Sequence, residues 1–167
     1  RLARYDQKNP NRLDGNLRQI AGTQTKLFEG SGTSYTDVSR AGSYVTGDIK
    51  WRFAQFGNTS LAINKATQLQ SSNSGAFANV ANSPKAALME SVGAFIILAN
   101  TDDTATGLAT GFGDQPNRWW CSSSFSPTTT WTPNVSTQCA SGLLVSAPGE
   151  LTALKRLGQA CIAFKKR

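Results

Sequence analysis

The sequence contains no histidine, one methionine, three cysteines and no long apolar run. Each shortage excludes something. Without histidine the commonest general base and metal ligand are gone, so a Ser-His-Asp triad and most zinc sites fall away. Three cysteines, in a chain whose first residues Arg1 to Arg12 do not read as a signal peptide, argue against a disulfide framework. No stretch approaches the ~18 apolar residues of a membrane-spanning helix. The close acids are Asp102 and Asp103, with Asp114 beyond them. That set suits a solvated loop, or a calcium site through oxygen ligands, better than the paired carboxylates of a glycosidase. There is no phosphate-loop motif, and Gly111-Phe112-Gly113 is too thin a glycine pattern to stand for one. The expectation is a chain without catalytic residues, metal or cofactor. Its abrupt start reads as that of a fragment or processed piece.

What is present is a repeat. Ala86 to Ala99 (AALMESVGAFIILA) reads as two apolar strands joined at Gly93. Trp51 to Ile63 turns in the same way at Gly57, and Leu151 to Phe164 at Gly158. An apolar strand, a glycine and a second strand of small or branched residues make a hairpin, and its three copies should be equivalent. Phe95 to Leu98 is the most apolar run and predicts a strand covered on both faces. Phe95, Ile97, Leu61, Ile63, Cys161 and Ile162 are the expected core.

A second, more polar hairpin follows each apolar one. TKLFEGSGTSYTDV and TQLQSSNSGAFANV align Leu27 with Leu69, Tyr35 with Phe77 and Val38 with Val80, each at an offset of 42 residues. In the third unit Trp119 and Trp131 take comparable places, if Asn100 to Pro116 is a loop insertion. Four antiparallel strands recurring every ~40–50 residues is the habit of a β-propeller blade. The fold class expected is therefore all-β, with four-stranded antiparallel blades of a partial propeller. The divisions are an outer half-blade over 17–38, blades over 49–80 and 86–134, and an inner half-blade over 150–167. Propellers close with about four to eight blades, so the remainder should lie elsewhere.

The net charge of +7 sits at the two ends: +3 over residues 1–18, +4 over 150–167, and a neutral middle. Basic ends are either solvated or contacts for nucleic acid or an acidic partner. Lys155, Arg156, Lys165, Lys166 and Arg167 are the candidates at the C-terminal end. Trp119 and Trp120 must point to opposite faces of a strand, so one packs inward and the other is free for a partner or a sugar ring. Arg118 and Trp120 are the contact candidates there. Cys161 reads as a small core residue. Cys121 and Cys139 enclose 17 residues and are expected to be reduced.

Two resemblances add to this reading. Ser124-Phe125-Ser126-Pro127-Thr128-Thr129-Thr130-Trp131 is similar to the Asp-box turn of sialidase-type propellers, with Ser126 and Thr128 replacing its Asp and Gly. More extensively, IKWRFAQFGNTSLAINKATQLQ, SPKAALMESVGAFIILANT and GDQPNRWWCSSS…TTTWTPN…TQCASGLLV resemble the propeller region of the tail hub or nozzle proteins of short-tailed bacteriophages. These are also described as tail tubular or head-to-tail connector proteins. The likeness covers roughly Asn11 to Arg167. It implies a non-enzymatic virion protein, assembled in the host bacterial cytoplasm into a homo-oligomeric, hexameric ring of the tail. Its implied partners are the portal and adaptor ring, tail fibre, spike or needle proteins, and the phage DNA passing through on ejection. The alternative is a carbohydrate-binding or sialidase-like propeller acting on cell-surface glycan. A sialidase needs an arginine cluster and a Tyr–Glu pair on the inner strands, where this sequence offers Arg52 and Glu90 but no arginine triad and no tyrosine.

Overall fold

The computed structural model describes residues 3–7, 18–44, 50–108, 111–146 and 149–166. All regular structure in them is β-strand, and every pairing is antiparallel. The first sheet runs β1 (Ala3–Gln7), β2 (Arg18–Gly22), β3 (Leu27–Ser31) and β4 (Ser34–Asp37) in that order. The second consists of β5 (Arg52–Phe56), β6 (Thr59–Asn64), β7 (Thr67–Ser72) and the short β8 (Ala78–Asn79). The third is β9 (Lys85–Val92), β10 (Phe95–Asp102), β11 (Asp114–Cys121) and β12 (Ala140–Leu143). One residue pair, Gln68 with Lys85, links β7 to β9 and makes the second and third sheets continuous. A fourth, two-stranded sheet pairs β13 (Leu151–Leu157) with β14 (Ala160–Lys165).

The three Gly-centred hairpins therefore form where the repeat places them. Gly57, Gly93 and Gly158 all adopt positive φ, between 55° and 60°, at the first turn position. An L side chain there meets its own backbone, so glycine lets each two-residue turn close with the twist its strands need. The offset of 42 residues is also structural. Val38 N donates to Leu27 O at 2.9 Å, and Val80 N donates to Leu69 O at 2.8 Å. Ser39 Oγ also caps Leu27 N at 2.9 Å, and a serine 44 residues on, Ser83, caps Leu69 N in the same way at 3.1 Å.

Two boundaries differ from the sequence expectation. The stretch read as a polar start contributes β1, so a four-stranded sheet stands where an outer half-blade over 17–38 was expected. A strand at a sheet edge is held by ladder hydrogen bonds to a single neighbour and needs no apolar alternation, which hid it. The loop expected over Asn100 to Pro116 shrinks to residues 103–113, because β10 and β11 continue past a bulge between Ala99 and Thr101. Asp103 closes it: its carboxylate accepts hydrogen bonds from Phe112 N at 3.0 Å and Gly113 N at 2.5 Å.

The sheets pack on one another in sequence order. Ile20, Leu27 and Val38 of the first meet Trp51, Ala62 and Phe77 of the second. Leu61, Ile63 and Leu69 of the second meet Ile96, Leu98 and Trp120 of the third. Leu88 and Ala99 of the third meet Leu151 and Leu154 of the fourth. Leu61 and Ile63 are thus core, as expected. Phe95 and Ile97 are half-buried, and their neighbours Ile96 and Leu98 carry the packing. Side chains alternate along a strand, so coverage by a full sheet on one side and a mere hairpin on the other decides which parity is enclosed. Ile162 is exposed, because the face of β14 turned away from the third sheet has no covering element among the described residues; Cys161, on the opposite face toward Glu90 of β9, is half-buried.

Candidate functional site

The most elaborate polar arrangement lies between the first two sheets. Arg18, on β2, is only 7% exposed although it carries a full charge. Its Nε and Nη2 donate to the two carboxylate oxygens of Glu29 at 2.6 and 2.9 Å, a bidentate pair. The remaining donors cross the junction. Nη1 reaches Ser60 Oγ at 3.2 Å and Ser72 Oγ at 3.1 Å, and Nη2 reaches Gly75 O at 3.1 Å. The guanidinium also lies 5.9 Å from the centroid of the Phe77 ring. A planar fork with five donors can hold two sheets at once in a way that lysine cannot. The arrangement is a clamp, in which the guanidinium donates to groups of both sheets.

Sequence reasoning counted Arg18 among the terminal charges. The signal that would have placed it was Glu29. A hairpin turning at residues 23–26 pairs Ile20 with Glu29, which sets Arg18 diagonal to that acid on the same face.

The contact candidates do not converge. Trp120 is fully buried in the core, a correction to its reading as an exposed contact. The half-buried tryptophan is Trp119, which lies across Gly142; a Cβ there would stand 2.8 Å from its ring. Parity again decides: Trp120 shares its face with Leu98, its partner across the ladder. Arg118 is half-buried, with its guanidinium 3.6 Å from the Phe112 ring centroid and Nη1 3.4 Å from Ser141 Oγ. It pins Phe112 against β11. Lys155 and Arg156 are exposed on β13, and Arg156 Nε donates to Gly158 O at 2.8 Å across the turn. Lys165 is half-buried, and its Nζ donates to Leu144 O at 2.7 Å. Lys166 is exposed, 3.9 Å from Glu150. Arg167 lies outside the described residues. Four of the five C-terminal basic residues therefore belong to the last hairpin and its turn or flank, while Arg118 lies on another sheet.

Asp102 and Asp114 are partners across the β10–β11 ladder, yet each acid is engaged separately: Asp102 pairs with Lys85 at 3.2 Å, Asp114 with Lys65 at 2.7 Å, and Asp103 caps its own loop. Among the described residues, no three acidic or cysteine side chains form a metal-binding group. The segment similar to an Asp-box is a compact turn in which Ser126 bonds Thr129 and Trp131 Nε1 donates to Pro127 O at 3.0 Å. Trp131 is fully buried, so its ring is unavailable to a sugar. No helix among the described residues is long and apolar enough to cross a membrane.

Cys121 and Cys139 are free thiols, both buried beside each other; Cys139 Sγ donates to Cys121 O at 3.1 Å. Burial, and then the neighbouring Cys121, push the Cys139 thiol up to about 12. Burial raises Cys121 as well. The thiolate is the reactive form, so both should resist alkylation in the native chain and react once it is unfolded in urea. Iodoacetamide labelling followed by mass spectrometry checks this, and rapid native labelling of Cys139 would refute it. The linkage has a definite sign. Protonated Cys139 supports the fold fully below 9.0, and that support fades as pH rises toward about 12.

The fold and site together define an all-β protein of sequentially packed antiparallel sheets, tied at its first junction by a buried arginine. No protein-family model matches the chain, and no curated protein matches it.

Proposed function

We propose that this chain is a structural protein of a bacteriophage tail, a β-propeller region of the hub or nozzle ring that continues the DNA-ejection conduit. The observation that carries the reading is the repeat itself. Strand hairpins fall at the Gly57 and Gly93 spans that hold most of the resemblance, and each unit packs on the next in sequence order. Sheets stacked in this way are what a propeller is built from. On this reading the protein works without a catalytic step. It acts as a homo-oligomer within the virion, against the portal or adaptor ring on one side and fibre, spike or needle proteins on the other.

Immunogold labelling of virions with an antibody against this chain tests the proposal. Label at the tail, below the portal, is expected; virions that carry none of the chain would overturn it.

A conduit must not retain its cargo. Each lumenal Lys or Arg would add a phosphate contact that slows passage. The isolated chain is therefore expected to bind duplex DNA weakly, with binding that vanishes as salt is raised. Sub-micromolar binding at physiological salt, measured by fluorescence anisotropy, would contradict this part of the reading.

A further inference from the structure

The second and third sheets sort their charges to one end. Antiparallel strands alternate in direction, so the 65–66 turn and the 103–113 loop lie at one end of these sheets. The 57–58, 73–77, 93–94 and 122–139 connections lie at the other. The first end is charged and paired, Lys65 with Asp114 and Lys85 with Asp102. At the second end none of the four connections holds an acidic or basic residue, and Trp119 to Gly149 has none throughout. A soluble surface ordinarily carries about one charged residue in three or four. Here serine, threonine and asparagine take their place. The uncharged ends of the two sheets lie together, since Phe56, the last residue of β5, packs against the cluster that holds Trp131.

Phe125 is the exception to this polar surface. It is 80% exposed and has φ of 58°, a backbone conformation that a bulky L residue rarely adopts. Neighbouring segments hold it there. Its N–H donates to Ala94 O at 2.8 Å, and Ser124 N donates to Thr137 O at 3.0 Å. The ring is thus fixed in solvent at a conformational cost that no internal packing offsets. Around it stand Ser124 and Ser126, half-buried, and Thr128, exposed. Beyond Ala94 lies the exposed amide of Gln159, its Oε1 3.0 Å from where a Cβ on Gly93 would be. The third sheet is packed on both faces, by the second and the fourth, and Phe125 lies at its end. A further sheet added to either side of the stack would not reach that position.

The chemistry of this rim selects its ligand. A sugar ring has a face of C–H groups and an edge of hydroxyls. The negative face of an aromatic ring attracts those C–H groups, while hydroxyl and amide side chains both donate to and accept from the edge. A sialic or uronic acid would also bring a carboxylate, whose desolvation needs an arginine or lysine that these connections lack. A protein partner is ordinarily gripped by Trp, Tyr or Arg anchors and steered by charge, and the rim offers neither.

We propose that Phe125 and the uncharged rim around it bind a neutral glycan, with the Phe125 ring as the platform on which a sugar stacks. The site does not rest on the tail reading. It also selects the opposite charge class from the anionic sugar of a sialidase.

Biolayer interferometry of the 167-residue chain on sensors carrying dextran, mannan or galactan tests this, with polygalacturonate and gelatin as anionic and polypeptide counterparts. Binding to at least one neutral polysaccharide is expected, unchanged between about 50 and 500 mM salt because no ion pair is involved. Binding of the basic chain to polygalacturonate should vanish over that range and ignore residue 125. Phe125→Ala and Phe125→Gly should each weaken neutral-glycan binding by roughly tenfold or more, the scale of a lost aromatic anchor. Phe125→Gly should also keep or raise the urea midpoint, because glycine adopts positive φ freely. Its lost binding would then not be lost folding. Four results would each overturn the proposal: no salt-resistant binding to any neutral polysaccharide, variants that bind as the wild type does, Phe125-dependent binding to gelatin or polygalacturonate, or a lowered midpoint for Phe125→Gly, which would give the ring a structural role.

Discussion

Arg18→Ala is expected to cost about 3–5 kcal/mol of folding stability, the range for breaking a buried charge pair from one side. Removal strands more than one partner. Glu29 loses both of its bidentate donors, and Ser60, Ser72 and Gly75 lose the donor that reaches them from the first sheet. The Coulombic attraction is the smaller part of the loss. The larger part is desolvation left uncompensated at a half-buried carboxylate. Arg18→Lys should recover little, because a single ammonium cannot satisfy a carboxylate and the second sheet together. Replacing Arg18 and Glu29 jointly by Met and Leu should cost less than Arg18→Ala alone, since no charge is then abandoned. Urea unfolding of the three variants checks the order. An Arg18→Ala loss below about 1 kcal/mol would show that the clamp does not hold the two sheets together.

Trp120→Ala is expected to cost on the order of 3–5 kcal/mol through the cavity it opens. Its ring lies in the cluster that unites Leu61, Leu69, Ile96 and Leu98, so no single neighbour can collapse to fill the space. A finer comparison separates packing from hydrogen bonding. Trp120 Nε1 finds no acceptor among the described residues, whereas Trp131 Nε1 donates to Pro127 O. Both rings are fully buried. Trp131→Phe should therefore be the more damaging of the two Phe substitutions, by about 1 kcal/mol, the net worth of one neutral hydrogen bond. Equal losses in thermal or urea unfolding, or a larger loss for Trp120→Phe, would contradict this account of the two sites.

Much of this architecture is local and was legible in the residues. A glycine that can take positive φ, set between runs of β-branched and aromatic residues, makes a hairpin wherever it occurs, and three such segments made three hairpins. The offset of 42 residues marked the equivalence of Leu27 with Leu69 and of Val38 with Val80 before any coordinate was known, because each pair performs the same strand-end task. The all-β class followed from the same signals. The candidate contacts were less legible. Trp120 and Trp119 are adjacent and chemically identical, and nothing in their own letters says which is enclosed.

That choice belongs to tertiary structure, and so do the others that the residues left open. Successive side chains alternate between faces, so a sequence specifies two parities but not which of them another sheet will cover. Coverage by the second sheet buried Ile96 and Leu98 and left Phe95 and Ile97 half-buried. Among the described residues no element covers the far side of β14, and Ile162 and Phe164 are exposed there, although the same hairpin positions are buried in the second sheet. Arg18 shows the rule for charge. Alone it is a cation near a basic terminus; only the approach of β6 and β7 to the first sheet supplies the acceptors that make its burial affordable. Local chemistry determined the strands and turns of this protein. Which face of each strand is inside was decided by contacts between residues far apart in the chain, where burial energy is gained.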